Sequence, residues 1–171
     1  IESFIKEPSQ TQQAILFSQL FRSEDTCYGK EYGFKNIATI ADFQNKVPIV
    51  NYEEYEPFIE RARQGESDVI WPGIIKQFAK SSGTTNAKSK YIPITEDSLQ
   101  DCHYKAGKDL VSIYVNNHPE NKLFSNKNLR LGGSAEMYQN FNTKYGDLSA
   151  ILIDNLPFWV EITTVPSKKV S

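Results

Sequence analysis

The chain has 171 residues, with 19 Lys and Arg against 21 Asp and Glu, a net charge of -2, and 39% hydrophobic and 23% charged residues. That balance fits one globular domain long enough to bury a core, and it leaves no basic surplus for a general binder of nucleic acid or anionic membranes. No apolar run approaches the roughly 20 residues of a membrane helix, and no nucleic-acid or membrane partner is expected; with two cysteines and no disulfide framework, a reducing cytoplasm is the default compartment.

In chain order, Ile1-Glu-Ser-Phe-Ile-Lys has neither an initiator Met nor a secretory apolar stretch. Ser9 to Gln12, after Pro8, is a capping-box pattern that predicts a helix start. Ile15, Leu16, Phe17, Leu20 and Phe21 then supply the apolar face of a helix ending near Asp25. Thr39 opens a short helix carrying Ile40 and Phe43, stopped by Pro48. Residues 52–63 read as a turn followed by a helix with Pro57 at its first position. Phe58, Ile59 and Ala62 face inward there, and Gly65 is the C-terminal cap.

Two extended runs, Ile74 to Ala79 and Tyr91 to Ile94, flank a polar connection. From Thr95 the pattern is helical again. Thr95 caps, Glu96 and Asp97 complement the helix dipole, and Leu99, Cys102, Ala106, Leu110, Val111 and Ile113 mark a buried stripe. Asn116, Asn117 and Pro119 end it. Leu129 to Leu131 predicts a short strand closing at Gly132-Gly133-Ser134, and Leu148 to Leu156 a helix interrupted by Pro157. The run from Thr163 to Ser171 carries no closing signal, which together with the missing Met is expected of a piece of a longer protein.

Cys27 and Cys102 are too few for a disulfide framework and too far apart for a zinc knuckle. His103 and His118 are the only histidines, so no metal site is expected. Cys102 and His103 are adjacent, and helical neighbours point about 100° apart. That predicts one buried thiol and one surface imidazole rather than a nucleophile and its base. Glu53, Glu54 and Glu60 read as solvated helix charges, Asp147 and Asp154 as unconvincing metal ligands, and Trp71 and Trp159 as packing anchors.

The polar connection carries the legible chemistry. Ser81, Ser82, Thr84 and Thr85 place four hydroxyls around Gly83, and Lys80, Lys88 and Lys90 bracket them with positive charge. Hydroxyl donors, backbone N–H groups and ammonium ions suit the oxygens of a polyphosphate. The segment is not a Walker A loop: Lys88 comes one residue early, Ala87 stands in the second glycine's place, and a strand follows where that motif needs a helix.

Ser81-Ser-Gly-Thr-Thr85 between two strands, followed by Lys90 and Ile92-Pro93, resembles the first nucleotide-binding motif of the adenylate-forming enzymes. More narrowly it resembles the acyl acid amido synthetases related to the plant auxin-responsive Gretchen Hagen proteins. Val47 to Tyr55, Pro57 to Ala62 and Gly65-Glu-Ser67 are similar to the segment before that loop. Leu131 to Ser134, Tyr145 to Ala150 and Asn155 to Trp159 are similar to the bacterial branch. Many relatives have glycine where this chain has Asn86 and Ala87, and the family's later motifs, Tyr-x-Ser-Ser/Ala-Glu and Tyr-Arg-x-Gly-Asp, are not in this sequence.

The resemblance implies an α/β fold, with residues 1–171 forming the N-terminal part of the large adenylate-forming (acyl-CoA synthetase/luciferase-like) domain, helices packed on β-sheet. It implies ATP with Mg2+ carried on the nucleotide, a small carboxylic acid and an amine such as an amino acid as partners, and the remainder of its own polypeptide. Ser81, Ser82, Gly83, Thr84, Thr85, Lys88 and Lys90 are then the phosphate-binding residues, Lys90 standing at the family's lysine position. By the same analogy the helix from Thr95 to Asn116 walls the acyl pocket, with Tyr104 and Tyr114 as lining candidates. No complete catalytic set is implied within the chain. Two alternatives remain at this point: a non-catalytic phosphate- or nucleotide-binding module, and an interaction domain with an inert loop.

Overall fold

The structure is a computed structural model that describes residues 2–81, 89–129, 136–140 and 142–166. It contains two compact units, Ile1–Lys76 and Gln77–Ser171.

The first unit is helical: α1 (Glu2–Lys6), α2 (Pro8–Ser23), α3 (Cys27–Glu31), α4 (Ile40–Lys46) and α5 (Tyr52–Arg63). Pro8 occupies the first turn of α2, so the expected cap at Ser9 does not form; the preceding Glu7 makes no side-chain cap bond either. Proline's missing N–H costs nothing there, and its fixed φ starts the helix without a cap. Leu20 is buried, whereas Ile15 and Phe21 stay exposed. Thr39 does cap α4: its hydroxyl accepts the Asp42 N–H while the Asp42 carboxylate accepts the Thr39 N–H. A second capping box corrects the next boundary. Asn51 and Glu54 start α5 at Tyr52, which places Pro57 inside the helix and gives Glu54 a structural role.

Gly65, at φ 89°, ends α5 as expected. Its N–H donates to Ala62 O and the Glu66 N–H donates to Arg61 O, the paired bonds of a Schellman motif. The core of the unit joins Leu20, Ile37, Ile59, Ala62, Val69 and Ile75. The Tyr28 ring packs edge-on against Phe34, Tyr55 and Phe58. Burial, more than the neighbouring Tyr28, pushes the Tyr55 hydroxyl up to about 12. Half-buried Trp71 lies under the Arg22 guanidinium at 5.0 Å, a cation–π contact.

The second unit holds the sheet. Its strands are β1 (Gln77–Lys80), β2 (Tyr91–Ile94), β3 (Asn128–Leu129), β4 (Met137–Asn140), β5 (Thr143–Gly146) and β6 (Thr164–Val165). Four of them form one sheet in the order β2-β1-β5-β4, and β3 pairs with β6. β1 is antiparallel to β2 but parallel to β5, so a long connection separates the two parallel strands. The helices are α6 (Lys105–Asn117), α7 (Leu148–Asp154) and α8 (Phe158–Glu161). Phe78, Ala79, Leu99, Ala150 and Ile151 form the core. Pro157 stands between α7 and α8, where the sequence predicts an interruption.

The connection after β2 departs from expectation. Thr95 caps as predicted, exchanging bonds with Ser98 in both directions. Ser98–Tyr104 then winds as a π-helix before α6 begins. Its i→i+5 bonds advance each side chain by roughly 80° rather than 100°, so over the segment the phase slips by on the order of 100°. The predicted stripe therefore leaves the buried side after Leu99: Cys102, Ala106, Leu110 and Ile113 are exposed, and Val111 and Val115 are half-buried. For the same reason Cys102 is not the buried thiol of its pair, and His103 is exposed beside it.

Candidate nucleotide-phosphate site

The hydroxyl-rich segment springs from the hairpin of β1 and β2. The ladder runs from Gln77↔Ile94 to Lys80↔Tyr91, and one further rung lies beyond it. The Ser81 N–H donates to Lys90 O at 2.9 Å, and the Lys90 N–H donates to the Ser81 hydroxyl at 3.2 Å. Ser81 and Lys90 thus close the neck of the loop, both half-buried. A hydroxyl that accepts one bond still has its own O–H to donate, so Ser81 can pin the neck and present a donor at once. Ser82, Gly83, Thr84, Thr85 and Lys88 lie outside the described residues, as do Asn86, Ala87 and Gly132-Gly133-Ser134.

The parallel pairing sets where the neck opens. β1 and β5 run the same way, with Phe78 beside Tyr145 and Ala79 beside Gly146. The loop leaving β1 and the turn leaving β5 therefore emerge at the same edge, outside the carboxyl ends of adjacent parallel strands. That is where open α/β sheets bind ligands. A side chain at Gly146 would stand 2.8 Å from Glu136 O and 2.7 Å from Met137 Sδ, so glycine lets β4 close against this edge.

Beyond Gly146, Asp147 caps α7, accepting bonds from the Ser149 N–H at 2.8 Å and hydroxyl at 2.6 Å. Those two bonds, the hydroxyl's first, hold its carboxyl below the ordinary range. The carboxylate is thus a helix cap. Among the described residues no cluster of His, Cys, Asp and Glu is arranged to hold a metal ion.

Aromatic packing braces the hairpin. Tyr91 on β2 meets Tyr145 edge-on at 5.6 Å across β1, and Tyr145 stacks on Tyr138 of β4 at 5.5 Å. Such cross-strand contacts stiffen a short sheet. The Tyr104 hydroxyl donates to Asn155 O at 2.8 Å, while the Asn155 amide donates to Gln77 Oε1 at 2.9 Å, so the π segment, α7 and β1 are tied together. The β4–β5 hairpin escapes the sequence reading. Tyr138, Thr143 and Tyr145 around asparagine-rich residues 140–142 are the signal that could have found it.

A family model described as the GH3 family N-terminal domain matches residues 1–171. The chain belongs to the GH3 family. Indole-3-acetic acid-amido synthetase GH3.2 of Arabidopsis thaliana is 32% identical over 118 residues, covering 67% of this chain and 22% of the relative. Jasmonoyl–L-amino acid synthetase JAR4 of Nicotiana attenuata is 30% identical over 100 residues, covering 58% of this chain and 17% of that protein. The solved GH3.15 acyl acid amido synthetase superposes over 99% of this chain and 29% of its own, with a TM-score of 0.76 at 20% identity. The fold is therefore the mixed helix-and-sheet arrangement of that enzyme's corresponding region. The chain spans about a fifth of the length of the curated relatives it matches. Among the described residues no helix is long and apolar enough to cross a membrane.

Proposed function

We propose that residues 1–171 are the N-terminal part of the large adenylate-forming domain of an ATP-dependent acyl acid amido synthetase, and that the β1–β2 loop grips the phosphates of ATP. The observation that carries this reading is the neck rung between Ser81 and Lys90, which closes the β1–β2 ladder at the carboxyl ends of β1 and β5, at the point in the sequence where four hydroxyls and flanking lysines follow. Membership of a family whose named relatives join acyl acids to amino acids supports the chemistry.

In the first half-reaction a carboxylate oxygen attacks the α-phosphorus of ATP. An acyl–O–P bond forms as the bond from the α-phosphorus to the bridging oxygen breaks, and pyrophosphate leaves; Mg2+ would come with the nucleotide and offset charge on its phosphates. The carboxylate is already ionised at neutral pH and needs no base. In the second, the neutral amine of a substrate such as an amino acid attacks the acyl carbon, the acyl–oxygen bond to AMP breaks, the nitrogen releases a proton to solvent, and an amide and AMP remain. Ser81, Ser82, Thr84 and Thr85 donate to the phosphate oxygens, and Gly83 permits close backbone approach. Lys90, with Lys88, offsets the charge growing on pyrophosphate.

The test is acid-dependent ATP–pyrophosphate exchange by the full-length protein over a panel of carboxylic and amino acids. Losing one prearranged donor costs on the order of 3 kcal/mol in the transition state, so Ser82→Ala or Lys90→Ala should slow exchange about 100-fold or more. Unchanged exchange removes those residues from the mechanism. Nucleotide binding with no exchange for any acid would leave the non-catalytic module instead.

A further inference from the structure

Asn155, just past the end of α7, is where the sheet, that helix and the π segment meet. Its side-chain nitrogen donates to Ile151 O at 2.8 Å and to Gln77 Oε1 at 2.9 Å, and its main-chain carbonyl accepts the Tyr104 hydroxyl at 2.8 Å. A main-chain oxygen can only accept, so the Ile151 contact fixes which end of the Asn155 amide is nitrogen, and Gln77 must then present its oxygen. Both hydrogens of that nitrogen are used, one on the last turn of its own helix and one on the first residue of β1. Gln77, Tyr104 and Asn155 are all half-buried, where water does not fully replace a lost hydrogen bond.

These bonds anchor the hairpin at the end away from its loop. α7 starts at the Asp147 cap, next to the carboxyl end of β5, and returns about 10 Å along the sheet to place Asn155 beside the start of β1. From Gln77 the strand runs straight to the loop neck at Ser81. An extended strand advances about 3.3 Å per residue and has no slack along its axis, so a slip at Gln77 reaches Ser81 undiminished. β2 pairs with β1 as one hairpin and slips with it. Its exit, through the π segment, returns to the same residue by the Tyr104 bond. Both feet of the hairpin thus rest on Asn155. Beyond them, β1 is tied to the edge by its short parallel ladder with β5, Gln77↔Lys144 to Ala79↔Gly146.

We propose that Asn155 and Gln77 are positioning residues for the β1–β2 loop, fixing the point along β5 at which the Ser81–Lys90 neck presents it to the phosphates of ATP. This role rests on the ATP reading of that loop. Neither residue touches the nucleotide, because both stand at the amino end of β1 and the loop leaves the other end. They act through the strand. A misplacement of about 1 Å, even one caused far from the chemistry, can cost about 100-fold in rate. A bridge that only held the fold together would change stability and leave the kinetics of the folded molecule as they are.

ATP–pyrophosphate exchange by the full-length protein tests it, with the KM for MgATP and the KM for the carboxylic acid measured separately, below the unfolding transition of each variant. Asn155→Ala removes the donor. Gln77→Met removes the acceptor at similar volume, and Gln77→Glu keeps an oxygen for Asn155, with Lys144 beside it on β5. Asn155→Ala and Gln77→Met are each expected to raise the KM for MgATP about tenfold and to leave the KM for the acid within about twofold. The two together should be no worse than either alone, since both cut one bridge. Gln77→Glu is expected to keep the wild-type values. So is Thr39→Ala, which removes a helix cap in the first unit and lowers stability without reaching β1. Wild-type kinetics in Gln77→Met overturn the proposal, whether or not Asn155→Ala folds. Additive effects overturn it too, as do equal rises in both KM values or a Gln77→Glu variant no better than Gln77→Met. Absence of exchange by the wild type with every acid removes the ATP reading and this role with it, whereas equal exchange by wild type and all variants removes only the role of Asn155 and Gln77.

Discussion

Asp147 illustrates how a single residue at the site edge acts through local hydrogen bonding rather than catalysis. It accepts the Ser149 N–H and hydroxyl at the first turn of α7, the helix whose Ile151 is fully buried under the sheet. Removing an aspartate cap costs about 1 kcal/mol, so Asp147→Ala should lower unfolding stability by that amount at pH 7. The pH dependence follows from the sign of the shift. The folded carboxyl titrates below its ordinary value of 3.8, so its contribution is fully present above that value. It is lost as pH falls through the lower folded pKa. Urea titrations at pH 7 and near pH 3 should show the gap between wild type and Asp147→Ala narrowing at the acid end; a gap constant with pH contradicts the cap's ionic character.

Among the elements, α5 shows competing local signals and which one wins. Proline prefers a first helical position, but Asn51 and Glu54 form a reciprocal cap that starts the helix at Tyr52, and the buried pair Ile59 and Ala62 holds the rest of it in place. Pro57 is left in the interior, exposed, without an N–H to give the Glu53 carbonyl. Pro57→Ala should therefore stabilise the protein by about 2 kcal/mol. That figure is proline's helix cost of roughly 3 kcal/mol, reduced by the wider unfolded ensemble that alanine allows. Chemical denaturation reads this directly, and a destabilised variant would mean that the ring packs in a way its exposure hides. The π segment makes the complementary point: its altered winding takes the stripe that begins at buried Leu99 out to exposed Cys102, Ala106 and Leu110.

Over the whole molecule, large apolar side chains remain uncovered. Leu110, Phe124, Leu129 and Phe158 are each more than half exposed, as are Ile49 and Ile162. Single exposed apolar groups are ordinary, whereas many large ones in one segment are not. Residues 1–171 alone should bind a hydrophobic fluorescent dye several-fold more strongly, per molecule, than the full-length protein. Equal binding would show that these side chains are covered within the segment itself.

Helix existence, the capping residues Thr39 and Thr95, the glycine stop at Gly65 and the two strands flanking the polar loop are all decided within a few neighbouring residues, so they can be read from order alone. The same holds for the loop's hydroxyls and lysines, whose chemistry is a property of residue type. Three-dimensional packing decides the rest. The parallel partner of β1 comes from β5, far downstream in order (Gln77 beside Lys144), and no local pattern announces a pairing at that range. The neck rung at Ser81 and Lys90 depends on hairpin register, and the outward turn of Leu110 on accumulated helical phase. Local chemistry belongs to neighbours along the chain; register, pairing and phase are set by contacts that only folding brings together.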